Sequence, residues 1–111
     1  MRAWLAAFVF TQLVEVPIYL AASRGTPAGW PRRLGVAFGA SLLTHPLVWF
    51  GFPRLPLPYW PMVGLAEVSA VVAEALWLRV CGGRHTAAWS LLANSASLTI
   101  GLPARACLGW P

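Results

Sequence analysis

The chain contains no lysine and no aspartate. Its charge rests on arginines and on three glutamates, so that only 10% of 111 residues are charged, against about 25% in an ordinary soluble domain. Apolar residues make up 59%. A chain so poor in polar groups cannot cover itself in water. The formal net charge of +5 does not indicate nucleic acid, because no basic patch is interleaved with aromatics. Cysteine is scarce too. Cys81 and Cys107 form no CxxC and no Cys/His cluster of zinc-finger spacing. No Rossmann glycine signature, P-loop, HExxH or GxSxG is present.

What the chain does have is four apolar runs, about 3–22, 34–52, 60–80 and 87–102. A helix needs ~20 residues to cross the hydrocarbon core, within a range of ~17–25. The first three runs qualify. The fourth is short, and is expected to sit upright or to thin the bilayer locally. The N-terminal run reads as a retained span rather than a signal peptide, because Gln12, Glu15 and Pro17 interrupt it. The links carry helix breakers: Gly25, Pro27, Gly29 and Pro31 in the first, Pro53, Pro56, Pro58 and Pro61 in the second, and Gly82-Gly83 as a C-cap in the third. Pro103 is expected to end the fourth helix. The predicted fold class is all-α: a polytopic membrane protein in which residues 1–111 form a single integral membrane domain, a four-transmembrane-helix bundle. Ser41-Leu42-Leu43-Thr44-His45 faintly resembles Ser90-Leu91-Leu92-Ala93-Asn94. This adds a reading as two tandem helical hairpins, which matches Glu15 with Glu74 and His45 with Asn94.

Arginine placement gives an orientation. Arg24, Arg32, Arg33, Arg79 and Arg84 fall on the first and third links, against Arg2, Arg54 and Arg105 on the opposite side. The positive-inside rule then puts both termini outside and the arginine-rich links in the cytoplasm. The expected location is a bacterial cytoplasmic (inner) membrane. Trp4, Trp49, Trp60, Trp77 and Trp89 lie near span ends and read as interfacial anchors. The two cysteines fall on opposite faces in this topology, so no disulfide is expected between them.

Each span carries one polar stripe. Gln12, Glu15 and Tyr19 share a face of the first span, and Ser41 and His45, with Thr44 beside them, mark the second. Glu67 and Glu74 lie two turns apart on the third, with Gly64 on the same face to allow close helix contact. Ser90, Asn94, Ser97 and Gly101 line the fourth. Lipid-facing carboxylates cost several kcal/mol each, so the stripes should face one another. Counting from run midpoints places Glu15 and Glu74 in one half, ~4–6 Å off centre, and His45 and Glu67 in the other, ~3–5 Å off centre. Two contacts are therefore expected, Glu15 with Glu74 and His45 with Glu67, with Asn94 between the layers.

Each pair has its own chemistry. Two carboxylates in low dielectric cannot easily both ionise, which suits a shared proton or a bound cation. A histidine beside a carboxylate can relay a proton or ligate a metal. Pro17 and Pro46 free carbonyls one turn earlier, a device that builds cation sites in transporters. Chain size, four spans and the first-span Glu15 resemble the small multidrug resistance transporters. The two further acids of the third span and His45-Pro46 depart from that family's pattern, so neither its dimer nor its substrate class is carried over.

The expected function is proton or divalent-cation binding and transport by Glu15, His45, Glu67, Glu74 and Asn94, supported by Gln12, Tyr19, Ser41, Ser90 and Ser97. Glu15, His45, Glu67 and Glu74 are the candidate metal ligands, and oxygen donors with one imidazole suit Mn²⁺, Fe²⁺ or Zn²⁺. The alternatives are an intramembrane enzyme acting on a lipid or lipid-linked substrate, and a non-catalytic subunit or assembly factor of a membrane complex. The expected partners are the bilayer and a homo-oligomer or a membrane complex, and not nucleic acid. Cofactor identity stays open, with a divalent metal ion as the candidate.

Overall fold

Apolar runs broken by Pro and Gly fold into helices because hydrocarbon leaves no other partner for the backbone. The computed structural model describes residues 2–24 and 29–108, with side chains for 4–24 and 29–101. Four long helices follow one another: α1 (Arg2–Ala22), α2 (Trp30–Pro46), α3 (Tyr59–Val80) and α4 (Thr86–Leu108). No strand occurs among the described residues. Three stretches are long and apolar enough to cross a membrane: Trp4–Ala22, Trp30–Arg54 and Tyr59–Val80. Ser90, Asn94, Ser95 and Ser97 make α4 more polar than α1 and α3.

The ends follow local chemistry. Pro31 sits in the first turn of α2, where a missing N–H costs nothing. α2 ends at Pro46, and a π-helical turn follows at Leu47–Gly51. That turn is closed by the Phe52 N–H on the Leu47 carbonyl and followed by a 3₁₀ turn at Phe52–Arg54. The weakening was expected one turn before Pro46; α2 instead stays helical through Pro46, and the wide turn, a feature frequent at functional sites, follows it. Gly82, at φ +93°, ends α3 in a left-handed cap. Its N–H bonds the Arg79 carbonyl, and that of Gly83 bonds the Leu78 carbonyl, the two bonds of a Schellman motif.

Two expected boundaries move. α2 begins at Trp30 rather than at residue 34, because Gly29 and Pro31 make a good start. α4 runs on to Leu108, so Pro103 does not end it and the helix is not short. Pro103 removes one helical bond, and the helix continues through it.

α1 packs on α2 and α4, and α3 packs on the same two. α1 and α3 therefore share one diagonal of the bundle, and α2 and α4 the other. The packing inverts the pattern of a soluble protein. Ala37, Ala40, Ala66 and Ala93 are buried, along with Glu15, Glu74, Ser41 and Ser90, whereas Leu13 is 71% exposed and Val68 63%. Small residues let the backbones approach, as in membrane bundles. Trp77 is one of the residues that move inward. Its indole N–H bonds the Val36 carbonyl at 3.0 Å, and its ring lies over Gly39, where a Cβ would come within 3.0 Å of the ring. It fastens α3 to α2 instead of anchoring in an interface. Gly64 does the reverse of what was expected: it is exposed, and nothing approaches the position of its Cβ.

Candidate functional site

Burying a carboxylate demands donors, and here all four helices bring them to one level. Glu15 on α1 accepts from Ser41 Oγ at 2.7 Å and from Ser97 Oγ at 2.6 Å. Glu74 on α3 accepts from Tyr19 Oη at 2.5 Å, Thr44 Oγ1 at 2.6 Å and Asn94 Nδ2 at 3.2 Å. The two carboxyl groups are close neighbours on the same cavity. All four carboxyl oxygens are thereby hydrogen-bonded, with Glu15 2% exposed and Glu74 1%. No ion pair neutralises them among the described residues. The helical spacing makes this possible, because residues three and four apart share a face and a short hydroxyl side chain suits the close approach of helices packed on alanine.

A two-fold pattern emerges. Ser41 and Thr44 are three residues apart on α2, and Asn94 and Ser97 are three apart on α4. The first of each pair serves the acid of its own hairpin, Ser41 to Glu15 and Asn94 to Glu74. The second reaches across, Thr44 to Glu74 and Ser97 to Glu15. The structure therefore equates Ser41 with Asn94, one helical turn away from the sequence likeness that equated Ser41 with Ser90. Thr44 was overlooked as a donor, and its i, i+3 spacing from Ser41 was the signal that could have found it.

The second expected layer does not form as a contact. His45 is 8% exposed and packs its ring against Trp4, Phe8 and Trp49, with centroids 6.0, 5.4 and 6.2 Å away. Its Nε2 has no hydrogen-bond partner among the described residues. Glu67 is half-buried and makes no hydrogen bond to a described residue. The aromatic cluster of Trp4, Phe8 and Trp49 holds the imidazole instead. Asn94 is not between layers either: it belongs to the dyad, with its Nδ2 also donating to the Ser90 carbonyl at 2.9 Å. Ser90 donates to the Val71 carbonyl at 2.8 Å, tying α4 to α3. Gln12 reaches the Phe38 carbonyl at 3.4 Å and leaves its Oε1 without a partner, so it braces α1 on α2 outside the dyad.

The dyad forms the floor of a cavity of about 650 Å³. Its walls run through His45, Trp49, Glu67 and Leu98 to Pro53 and Tyr59, beside the proline-rich link. Glu15, His45, Glu67 and Glu74 all line this space, yet among the described residues no three His, Cys, Asp or Glu side chains come together as a group that could hold a metal ion. Cys81 is a free thiol, while the side chain of Cys107, and with it the expectation about a disulfide, lies outside the described residues. No protein-family model, curated protein or solved structure matches the chain.

Proposed function

We propose that the chain is a small integral membrane transport protein, with α4 as its fourth span, whose Glu15/Glu74 dyad binds and releases a proton or a divalent cation. The observation that carries this reading is the dyad itself: two deeply buried carboxyls, side by side, at the floor of a large cavity. Neutral donors on all four carboxyl oxygens suit a pair that shares one proton and spreads the remaining charge over hydroxyl groups. That arrangement favours the proton over a metal ion as cargo. A divalent ion bound here would be held by oxygen from Glu15, Glu74 and the amide of Asn94, with hydroxyl groups turned to present lone pairs. The exposed leucines and valines of α1, α2 and α3 are proposed to face lipid, or a second copy of the chain or a larger membrane complex. The proposed location is a bacterial inner membrane, with both termini outside and the arginine-rich links inside.

The test is flux. Reconstituted in liposomes, the wild-type chain should carry protons down a gradient, read by an entrapped pH dye. Glu15→Gln with Glu74→Gln should abolish the signal while leaving the helical content intact. Unchanged proton and metal flux in that double variant sinks the proposal.

The size of the cavity favours a second reading. A volume of about 650 Å³ exceeds what a proton needs, and the Glu67 carboxyl on its wall has no hydrogen-bond partner among the described residues. An intramembrane enzyme acting on a lipid-linked substrate would use such a space. A lipid that co-purifies with the chain and is lost on Glu67→Gln would support that reading.

A further inference from the structure

At the opposite end of the bundle a second cavity, of about 280 Å³, opens beside the first and third links. Arg32, Arg33 and Arg84 line it, and no carboxylate does. All three acids of the chain belong to the other cavity. The nearest of them, Glu74, stands behind Tyr19, whose hydroxyl already donates to it. Arg33 is engaged with α1, donating through Nε to Ser23 Oγ and through Nη2 to the Leu20 carbonyl, both at 2.7 Å. Arg32 and Arg84 make no ion pair and no hydrogen bond among the described residues.

The turn between α3 and α4 builds the rest of the wall. Gly82 takes a positive φ of +93°, and a Cβ on Gly83 would lie 3.0 Å from the Leu78 carbonyl oxygen. Only glycine lets the chain fold back so tightly. The fold-back brings Arg84 to the side of Arg32 and starts α4 at Thr86, on the pocket wall. The first-turn N–H groups of α4 and the positive end of its dipole add to the three guanidinium charges. Leu78, Val36 and Trp89 close the pocket from below with apolar surface. Ala22, Trp30 and Val80, the ends of the three spanning stretches, lie at this end, so the pocket sits at the height of lipid headgroups.

We propose that this cavity is a binding site for a phosphate-bearing anion, supplied by a lipid headgroup or by free phosphate. The volume of 280 Å³ equals roughly nine waters at ~30 Å³ each, enough for a phosphate group with part of its hydration. Guanidinium forks match phosphate oxygens in pairs, and basic pockets between helices at the membrane surface are a recurrent lipid-headgroup site. The apolar floor would take the first carbons of a lipid glycerol, which free phosphate would leave uncovered. The site is independent of the carboxylate dyad and of any transport it performs.

The experiment uses the full chain purified in neutral detergent. In one arm, native mass spectrometry counts phosphatidylglycerol retained in competition with phosphatidylcholine. In the other, the thermal midpoint is followed as inorganic phosphate is added against chloride at equal ionic strength. Retention of about one phosphatidylglycerol per chain, or a midpoint rise with phosphate, is expected. Arg32→Gln with Arg84→Gln should lower the affinity on the order of 30-fold, from the loss of two charges at headgroup level. Arg32→Lys with Arg84→Lys should restore part of it, and Arg54→Gln, at the other end of the bundle, should change nothing. A lipid response alone identifies a headgroup site, and a phosphate response alone a soluble anion site. If neither phosphate form is preferred, or the Gln double variant binds as the wild type does, the proposal is overturned.

Discussion

Glu74 and Glu67 stand two turns apart on the same helix, and their surroundings differ. Glu74 is 1% exposed and receives a hydrogen bond from each of the other three helices. Glu67 is half-buried on the cavity wall and receives none from the described residues. An acid deep in an apolar bundle persists only where its neighbours supply the donors, because leaving it unpartnered there costs several kcal/mol. An acid nearer the mouth is left to whatever enters the cavity. Glu74 is therefore both a structural joint and a candidate binding group, whereas Glu67 carries no structural duty.

The largest expected effect tests that joint. Glu74→Ala removes the acceptor shared by Tyr19, Thr44 and Asn94. Interhelical hydrogen bonds in membranes contribute ~0.6 kcal/mol on average and at most ~1.7, so losing three, with donors stranded in the core, should cost roughly 2–5 kcal/mol. Thermal or denaturant unfolding in detergent reads this directly. A Glu74→Ala chain as stable as the wild type would erase the contrast with Glu67.

Next comes the functional side of the same contrast. Glu74→Gln keeps a side chain of the same size that still accepts hydrogen bonds, so the bundle should hold. It cannot give up and regain a carboxyl proton. Proton flux in liposomes should fall at least about 100-fold, equivalent to roughly 2.7 kcal/mol. Glu15→Gln should match it, because the two-fold pattern of donors makes the acids equivalent. A variant pair differing more than tenfold would show that the pattern is not functional.

A smaller effect isolates one donor. Tyr19→Phe removes only the hydroxyl group, leaving Glu74 with Thr44 and Asn94. Hydrogen bonds to charged groups contribute ~1.5–3 kcal/mol in soluble proteins, and interhelical bonds in membranes less, so a loss of about 1–2 kcal/mol is expected. Tyr19 also stands between the two cavities. The same variant should raise proton leak at neutral pH, measured without an imposed substrate gradient, if the hydroxyl group helps to close the floor of the acidic cavity.

How far the sequence reached depends on which coordinate is asked for. Residue counting gives depth, and depth brought Glu15 to Glu74. It does not give direction around the helix axis, which is why His45, counted to the depth of Glu67, packs against Trp4 and Phe8. Helix existence was readable from apolar runs, but the end of α4 was not, because the proline at 103 removes one helical bond without ending the helix. Counted link by link, the arginines gave an orientation and nothing more. Their gathering into a pocket depends on a glycine turn that folds Arg84 back, and no charge count contains that geometry.

The smallest expected effect sharpens the comparison from its other side. Glu67 has no donor to strand and no ion pair to break, so Glu67→Gln should shift stability by less than about 0.5 kcal/mol, the range of substitutions away from structural features. The same variant should leave proton flux within about tenfold of wild type if Glu67 only conducts protons toward the dyad, since water in a cavity of 650 Å³ offers a parallel route. A deep loss of flux with unchanged stability would move Glu67 into the binding site and make the cavity wall, rather than its floor, the place where cargo is held. Stability and flux measured together on Glu67→Gln and Glu74→Gln therefore separate the two acids: Glu74 should lose activity much more than stability, and Glu67 should lose little of either.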